Sequence, residues 1–405
     1  MEEHTTIGRR IQRARERMGM SRRVLGGLIG RSEEWAKSIE TGKRGAPRLP
    51  MLLQIAEALG LSDLAELTGN GHAVSVKVWA GARHRDLGAV QLALTSFRLA
   101  TPGERHDLTH LEERLRHAWQ VRHSSPNHRT ALGAILPTLI RDAQAAARTS
   151  GSDRRKARRL LAGVYHLTDF YVAYQPDASL VWLVADRGLA EAQEADDPYT
   201  IACGMWAMVQ ALRDSGRWDE ALEMIASGRE MLTPWLDRDS TPDNWRAISG
   251  ALAAEAALVH ARRGRTGDAW AAWDRAEEIA QRLGPAYRHV QTSFSQAVQA
   301  ANATTLGVEL RRSGEALRAA RSVDGDEIVS IPRRARHLIE VARAYDERDE
   351  RAAVVAILDR AQNTAPETIS YNGYARDMLL SLQKKPPSGM SREVRDLCRR
   401  VGVAA

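Results

Sequence analysis

The chain has little cysteine and no long apolar run. Its 405 residues include two cysteines, Cys203 and Cys398. Two are too few for a disulfide framework or a four-cysteine metal site, so each is expected to be a small buried apolar side chain. No uninterrupted apolar segment of roughly 18 residues occurs, and no apolar run follows a basic N-terminal start. These absences predict a soluble, cytoplasmic protein without a membrane partner.

Catalytic and metal-binding motifs are missing as well. The sequence contains no phosphate-cradling glycine loop, no His-Glu-x-x-His, no paired-cysteine motif and no nucleophile elbow. His106 and His110 have ligand spacing on one candidate helix, but no third ligand accompanies them. Solvated surface histidines are therefore the expected interpretation. We predict no enzymatic activity, no cofactor and no metal site.

Positive charge is concentrated near the N-terminus. The formal net charge is +7, and residues 1–48 contain 12 Lys and Arg against 6 Asp and Glu, so the remaining residues add an excess of only one. A basic excess confined to one small region is typical of contacts with nucleic-acid phosphates. An ordinary solvated arginine-rich surface is the alternative. The length favours about two to three domains.

Residues 7–48 carry a more specific signature. It runs Gly30-Arg31-Ser32-Glu33-Glu34-Trp35-Ala36-Lys37-Ser38-Ile39-Glu40-Thr41-Gly42-Lys43-Arg44, and Pro47 follows. Ile7, Ile11 and Ala14 give an apolar helical stripe before it. Ser21 can cap a second helix, and a last apolar helical segment covers Leu49–Leu59. The whole resembles the lambda-repressor-like helix-turn-helix family, also called the xenobiotic-response-element (XRE) family of bacterial transcription regulators. The resemblance implies a five-helix DNA-binding domain over residues 1–68.

The resemblance also assigns the residues that meet DNA. The second helix of the motif enters the major groove with its N-terminal residues facing base edges, and here it begins at Ser32 and ends near Thr41. The predicted DNA-binding residues are Arg22, Ser32, Glu33, Glu34, Lys37, Ser38, Lys43 and Arg44. Arg22 stands where the family usually has Gln and would touch a phosphate or an adjacent base. Lys43 and Arg44 would contact the DNA backbone.

Helix formation and packing can also account for several residues of this region. For Glu33 and Glu34, favourable negative charge at a helix N-terminus is an equally good reason to be acidic. Trp35 is interpreted as a packing residue. Gly26 and Gly27 each cost about 1 kcal/mol of helix propensity, which indicates close packing between the second and third helices.

Residues 69–86 are predicted to be a linker. Gly69-Asn70-Gly71 is a turn cluster, and the alternation over Val74–Val78 indicates a short extended segment at most. Beyond it, residues 87–405 are rich in Ala, Leu, Arg and Glu. This composition predicts a second domain that is almost wholly helical.

A repeat is visible in the second domain. Ser215–Leu222 recurs as Arg263–Trp270 and more faintly as Arg311–Leu317. In each copy an apolar helix ends, a small turn follows, and a second helix opens with an acidic residue and an Ala. The pattern resembles the tetratricopeptide repeat. It implies an all-α right-handed superhelix of stacked helix pairs with a concave groove, closed by a terminal capping helix over residues 391–400.

The repeat alignment also nominates a ligand site. Aligning Gly216 with the turn glycine of the repeat places Met205, Met208 and Leu212 in the core. Groove-facing positions and amphipathic character together give the predicted ligand-binding residues, which are Tyr171, Tyr174, Trp206, Gln210 and Arg213. The other Trp and Tyr residues of this domain are expected to lie mostly in the core.

A helix-turn-helix domain followed by such repeats resembles the peptide-responsive quorum-sensing regulators of Gram-positive bacteria. The resemblance implies a homodimer on a double-stranded DNA operator with an inverted repeat, and a signalling peptide in the groove that changes how the DNA domains are presented. The effector is left open between a peptide, a small molecule, and a protein partner or none. An interaction scaffold or a constitutive regulator without a small ligand is the competing class. The near-complete recognition signature and the local basic excess argue against a scaffold.

Overall fold

The computed structural model describes residues 6–45, 47, 49–59, 61, 65–68, 83–96, 107–149, 151–175, 179–238 and 240–403. These residues form helices and turns, and no β-strand occurs among them, which confirms the all-α fold class. None of the described helices is long and apolar enough to cross a membrane. The chain divides into a first compact unit at Met1–Ala82 and a second one that covers Arg83–Asp214 and Trp218–Ala405.

The first unit shows five helices in its described residues: α1 Ile7–Arg17, α2 Arg22–Leu28, α3 Glu33–Glu40, α4 Leu49–Ala58 and α5 Ala65–Thr68. A hydroxyl side chain begins both α2 and α3, because an N-cap oxygen accepts a backbone N–H that the helix itself leaves unpaired. Ser21 accepts from the N–H of Val24 at 3.2 Å, and Ser32 accepts from that of Trp35 at 3.1 Å. The predicted cap at Ser21 is thus confirmed, and Ser32, predicted only as the start of α3, is its N-cap.

Buried aliphatic side chains form the core of the first unit: Ile11, Ala14, Leu25, Ile29, Ile39, Leu52, Ile55, Ala56, Leu59 and Leu67. Gly26 lets α2 approach the turn before α3, because a Cβ at Gly26 would lie 2.7 Å from the carbonyl oxygen of Arg31. A Cβ at Gly27 would meet nothing within 4 Å. The close packing predicted for both glycines is therefore right for Gly26 and wrong for Gly27.

The second unit contains sixteen α-helices in its described residues: α6 Leu87–Thr95, α7 Leu108–Ser124, α8 His128–Thr149, α9 Arg154–Val172, α10 Ser179–Ala195, α11 Pro198–Asp214, α12 Trp218–Leu236, α13 Asp243–Arg262, α14 Thr266–Leu283, α15 Gln296–Glu309, α16 Ser313–Arg321, α17 Ile331–Asp346, α18 Arg351–Thr364, α19 Pro366–Tyr371, α20 Gly373–Lys384 and α21 Ser391–Val401. From α7 to α18 the helices pack as consecutive pairs. We call the odd-numbered member of each of these pairs the first helix.

The turn inside a pair recurs with one backbone conformation. Gly216 and Gly264 have φ of +79° and +75° in the two stronger copies of the sequence repeat. Arg311 takes this position with φ of +62° in the third copy, and Asp349 does so with +55° in a fourth copy that sequence reasoning missed. Glycine adopts this left-handed region without strain, whereas larger residues rarely enter it. The sequence signal therefore fades where a side chain occupies the turn.

The ends of the second unit refine the predicted boundaries. The unit begins at Arg83, so residues 83–86 of the predicted linker belong to it, while residues 69–82, with the Val74–Val78 alternation, lie outside the described residues. At the other end, α21 covers the predicted capping segment and buries Val394, Leu397 and Val401.

The last helices of the second unit contact the early ones. The carboxylate of Glu367 on α19 accepts the backbone N–H groups of Arg129 at 2.6 Å and Thr130 at 3.2 Å, in the first turn of α8. Such N–H groups have no partner within their own helix, and negative charge is favoured there by the helix dipole. This contact joins residues 238 positions apart and fixes the two ends of the unit to each other.

Candidate nucleic-acid interface and inner face of the repeats

The predicted recognition helix is α3, and the side chains of its first turn are exposed. Glu33 and Glu34 follow the capping residue Ser32, and both are exposed. The Nζ of Lys37 lies 3.9 Å from the carboxylate of Glu34, and both side chains are more than half exposed. An exposed helix end with two carboxylates and an ammonium offers acceptors for cytosine N4 and a donor for guanine.

The side of α3 that carries Trp35 is partly packed. The Trp35 ring packs against the core of the first unit, which confirms its predicted packing role. The hydroxyl of the half-buried Ser38 donates to the carbonyl of Trp35 at 2.7 Å. Sequence reasoning missed Arg31, whose guanidinium lies 5.8 Å from the centre of the Trp35 ring. This cation–π contact places a further positive charge beside the start of α3.

Arg22 is held by an ion pair inside the first unit. Its Nε donates to the carboxylate of Glu40 at 2.7 Å, and the Nε of Arg15 donates to the same carboxylate at 2.6 Å. The Glu40 side chain is fully buried. Burial alone would raise its pKa, but the hydrogen bonds from Arg15 and then Arg22 hold the pKa below its ordinary value. The DNA contact predicted for Arg22 must therefore use the part of the guanidinium that does not face Glu40.

Two exposed cations follow α3 on a well-defined turn. The chain turns at Gly42 with φ of +73°, and the backbone N–H of Arg44 donates to the carbonyl of Ser38 at 3.0 Å. The side chains of Lys43 and Arg44 are both exposed. Cations fixed at the end of a recognition helix are suited to phosphate contacts that position the helix without reading sequence.

Two of the predicted ligand-binding residues are core residues of the second unit. Tyr171 is fully buried, and its hydroxyl lies 2.8 Å from Nδ1 of His84. Trp206 is 3% exposed and packs against the ring of Phe170. Helix α11 buries 10 of its 17 residues, so most of its circumference is core and the alignment that turned Trp206 outward was wrong. Tyr171 and Trp206 are therefore removed from the candidate ligand site.

The other three predicted ligand residues keep polar groups that a ligand can meet. Tyr174 is half exposed, and its hydroxyl accepts a hydrogen bond from Arg336 at 2.8 Å. Arg213 pairs with Glu255 on α13. The Nε2 of Gln210 is buried and finds no hydrogen-bond partner among the described residues.

A charged surface, which we call the inner face, is shared by the first helices of six pairs. It consists of Arg122 on α7, Asp169 on α9, Arg213 and Asp214 on α11, Glu255 and Arg262 on α13, Glu309 on α15, and Arg333, Arg336, Glu340 and Arg343 on α17. Ion pairs link successive helices along it, such as Arg262 with Asp214 at 2.7 Å and Arg343 with Glu309 at 2.9 Å. These partners lie 48 and 34 positions apart. No local motif could have marked them, and sequence reasoning named only Arg213.

The connection between α14 and α15, residues 284–295, lies against first helices, and we call it the inner segment. Three hydrogen bonds attach it to the helices. His123 of α7 donates to the carbonyl of Val290 at 2.7 Å, and Arg333 of α17 donates to the carbonyl of Thr292 at 3.0 Å. In the other direction, Gln291 donates to the carbonyl of Cys203 on α11 at 3.2 Å. The ring of Phe294 fills the space above Gly250 of α13, where a Cβ would lie 2.5 Å from it. A stretch of the chain itself is thus bound by the helices that were expected to bind a ligand.

His289 anchors the inner segment in its neutral form. It is buried, and burial lowers its pKa to about 3. Its Nδ1 accepts the backbone N–H of Thr292 at 3.1 Å, so the proton is on Nε2, which lies 2.9 Å from the hydroxyl of Tyr199 at the start of α11. Protonating Nδ1 would break the bond to Thr292.

A cavity of about 490 Å³ lies between α7 and the inner segment. Its walls include the rings of Trp119 and His123 and the exposed side chains of Val290 and Val329. The volume is in the range of small-molecule sites.

The residues that the structure describes bring together no group of three potential metal ligands. His110 is exposed, and His106 lies outside the described residues.

Comparison with known proteins gives a family match for the N-terminal region and a similarity to solved structures. Residues 6–67 match a family model described as a helix-turn-helix domain. No curated protein matches the chain. Among solved structures, PlcR of Bacillus thuringiensis in complex with the peptide PapR7 and DNA is similar with a TM-score of 0.29 and 13% sequence identity, over 87% of this chain and 99% of that one. Residues 6–67 therefore match a helix-turn-helix domain, and a second unit of packed helix pairs follows it along the chain.

Proposed function

We propose that this protein is a sequence-specific transcription regulator that binds an inverted-repeat operator as a homodimer. The exposed first turn of α3, with Glu33, Glu34 and Lys37, is the observation that carries the proposal. Lys43 and Arg44 then supply phosphate contacts. One helix-turn-helix motif covers a half-site, so two copies are needed for a specific site of ordinary affinity. Residues 1–68 would hold the DNA contacts and residues 87–405 the dimer contacts.

The test is operator selection from random DNA with the full chain, followed by salt-titrated binding. Replacing Glu34 or Lys37 with Ala should change the preferred bases and cost about 1–3 kcal/mol at the affected position. Arg44→Ala should weaken all sequences similarly and reduce the salt dependence. Arg154→Ala, an exposed cation of the second unit, is the control and should change neither. Unchanged base preference in a Glu34→Ala, Lys37→Ala, Ser38→Ala triple variant would refute the recognition-helix assignment.

We further propose that the inner face binds a ligand, a signalling peptide or a small molecule, that changes operator affinity. The half-exposed Tyr174, the Gln210 amide nitrogen that lacks a partner among the described residues, and the inner-face charges that include Arg213 support this proposal. The 490 Å³ cavity beside α7 supports the small-molecule form. A ligand acts only through its different affinities for the two arrangements of the DNA domains, so binding and operator affinity must be coupled.

The test is calorimetry of the full chain with peptides secreted by the source organism and with extracts of small molecules, each repeated with operator DNA present. A Gln210→Ala, Arg213→Ala double variant should lose ligand affinity and keep operator affinity in the absence of ligand. Sedimentation of the full chain with and without operator tests the dimer. A monomer that stays monomeric on the operator contradicts it.

A constitutive regulator is the second candidate, and the inner segment is the observation that favours it. Because residues 284–295 are already bound to α7, α11 and α17, the inner face holds part of the chain without any ligand. A Gln291→Ala, Phe294→Ala variant should loosen this segment. If operator affinity then changes with no ligand added, while no extract shifts the wild-type protein, the constitutive form is favoured.

A further inference from the structure

Arg122 is a buried cation without a counter-charge among the described residues. It lies on α7 and is 8% exposed. Its Nε and Nη1 have no hydrogen-bond partner among the described residues, and its guanidinium carbon lies 4.8 Å from the centre of the Phe170 ring. Buried arginines are almost always paired, because removing a charge from water is costly unless an opposite charge or hydrogen bonds replace the solvent.

Four of the five acidic groups of the inner face are paired with arginines other than Arg122. Arg343 binds Glu309 at 2.9 Å and Glu340 at 2.6 Å. Asp214 is bound by Arg262, and Glu255 is bound by Arg213. Asp169, whose Oδ1 is itself without a partner, forms no ion pair with Arg122 among the described residues. No carboxylate of the described chain therefore neutralises Arg122.

The neighbouring guanidinium groups further disfavour the charged form of Arg122. Burial first, and then the guanidinium groups of Arg333 and Arg129, lower the pKa of Arg122 to about 9. Arg333 donates one N–H to the carbonyl of Thr292 at 3.0 Å and has no ion-pair partner among the described residues. Arg129 donates to the carbonyl of Tyr171 at 2.5 Å. Arg129 also lies over the ring of Tyr371 and is partly compensated by Glu367. The guanidinium groups of Arg333 and Arg129 thus add positive potential around Arg122, which itself has no ion-pair partner among the described residues.

We propose that Arg122, with Arg333 beside it, binds the carboxylate of a ligand on the inner face. The inference rests on the proposed function, since it names the chemical group by which that ligand is held. A guanidinium presents a planar pair of N–H donors that fits a carboxylate in a bidentate manner. The Phe170 ring below Arg122 adds an apolar surface for the part of the ligand next to the carboxylate. The carboxylate is either the free C-terminus of a short peptide or that of a small organic acid.

The first test is the thermal stability of the ligand-free full chain. Arg122→Met keeps most of the volume over Phe170 and removes the uncompensated charge, so we expect Tm to rise by at least about 2 °C. Arg343→Met is the control, because the Arg343 side chain is also largely buried, at 14% exposure, but is paired with two carboxylates. Its Tm should fall. A functional residue that is unfavourable for the free fold is the signature of a binding site rather than of a structural ion pair.

The second test uses two probe pairs on the same proteins. Phenylacetate is compared with phenylacetamide, and a pool of short random peptides with free C-termini is compared with the same pool amidated. The Tm of the wild-type chain should rise with one of the carboxylate forms and with neither amide. Arg122→Met should show no response, and Arg122→Lys, which keeps the charge without the planar fork, should show a reduced one. A response to the peptide pool alone identifies a peptide terminus, and a response to phenylacetate identifies a small acid.

Two results overturn the carboxylate site. One is a lower Tm for Arg122→Met, which would make Arg122 a structural residue. The other is a raised Tm with no response of the wild type to either carboxylate probe, which would mean that the uncompensated charge binds no carboxylate. The proposed function fails separately, if the responding carboxylate leaves operator affinity unchanged. In that case the Arg122 site stands as a ligand site without a role in DNA binding.

Discussion

Arg15 in the first unit and Arg122 in the second are buried to almost the same degree, at 6% and 8% exposure, but their surroundings are opposite. Arg15 donates to Glu40 at 2.6 Å and 3.0 Å and to the carbonyl of Met20 at 2.7 Å. Arg122 has a phenyl ring beneath it and two other arginines near it. The first arrangement fixes α1 to α3 and leaves nothing for a ligand. The second leaves an unfavourable charge that no carboxylate of the described residues neutralises, which is the basis for the proposed ligand site. Burial of a charge therefore says little about function until its partners are known.

The largest effect on stability is expected for Glu40, the carboxylate that pairs with Arg15. Glu40→Gln removes the buried carboxylate that pairs with Arg15 and Arg22, and the first unit should lose about 3–5 kcal/mol of stability. Hydrogen exchange of the α1 and α3 amides in the full chain measures this loss. The pKa of Glu40 is lower in the folded chain than in the unfolded chain. The stability that this group contributes is therefore present at neutral pH and is lost as the pH falls below the ordinary pKa of a glutamate.

Glu16 provides the matched control for Glu40. It also reaches Arg15, at 3.4 Å, but its side chain is 54% exposed. Glu16→Gln should change stability by no more than about 0.5–1 kcal/mol, because exposed ion pairs are weakened by water and salt. Equal losses for the two variants would mean that the burial of Glu40 does not matter, and the contrast with Arg122 would then lose its basis.

The next largest effect is a pH dependence that separates the two units. The described residues of the first unit contain no histidine, whereas burial lowers the pKa of His289 in the second unit to about 3. Below about pH 6.5 the unfolded chain takes up a proton at this histidine and the folded chain does not, so stability falls as the pH falls from there. The slope is at most about 1.4 kcal/mol per pH unit for one group. Between about pH 6.5 and 5, acid should therefore weaken the second unit and spare the first.

Urea unfolding of the full chain at several pH values, with exchange data to assign each unit, measures this slope. His289→Gln should make the profile of the second unit shallower. Asp169→Asn should make it steeper, because burial raises the pKa of Asp169 to about 7 and its contribution to stability is lost as the pH rises, opposite to that of His289. Acid weakening of the first unit in the same window contradicts the assignment.

The two units also differ in how far the sequence predicts them. In the first, the caps at Ser21 and Ser32 act on residues three positions away, and the signature that contains them is local. The bounds of α3 could therefore be predicted. The Arg15–Glu40 pair could not, because its partners are 25 positions apart and no spacing rule connects them.

In the second unit, local sequence patterns predicted the turns correctly but did not predict which side of each helix is buried. Gly216 and Gly264 indicate their turns because the backbone there needs a positive φ. Asp349 adopts the same backbone conformation, but an aspartate does not indicate it in the sequence. Trp206 and Tyr171 were assigned to a groove from one helix at a time. Which side of a first helix is core depends on its neighbours on both sides, and that information is not in the helix itself. The inner face and inner segment arise from contacts between distant residues for the same reason.

A smaller loss of stability is expected when the capping groups at the N-termini of α3 and α8 are removed. The start of α3 is capped by Ser32 within the same turn, and that of α8 by Glu367 from α19. Glu367→Gln keeps the shape and removes the charge, and should cost the second unit about 1–2 kcal/mol. Ser32→Ala should cost the first unit about 1 kcal/mol. Exchange at the amides of α19 distinguishes the two cases: they should become more exposed in Glu367→Gln, because this contact holds the ends of the unit together. Unchanged protection of α19 would mean that other contacts close the unit.

The smallest expected effect is a gain of stability in the first unit, from the glycine whose packing role the sequence misjudged. Gly27 is exposed, lies within α2 and would place a Cβ in open space, so Gly27→Ala should stabilise the first unit by about 0.5–1 kcal/mol through helix propensity and a less flexible unfolded chain. Gly26→Ala is the control and should instead lower the stability of the first unit. Its Cβ would lie 2.7 Å from the carbonyl oxygen of Arg31, and this backbone atom can move only if the turn before α3 moves with it. Hydrogen exchange of the α2 and α3 amides measures the stability of both variants. Operator affinity should fall for Gly26→Ala alone, because only that change displaces α3, the proposed recognition helix. A loss of stability in Gly27→Ala would show that this glycine has a role that its surroundings in the first unit do not explain.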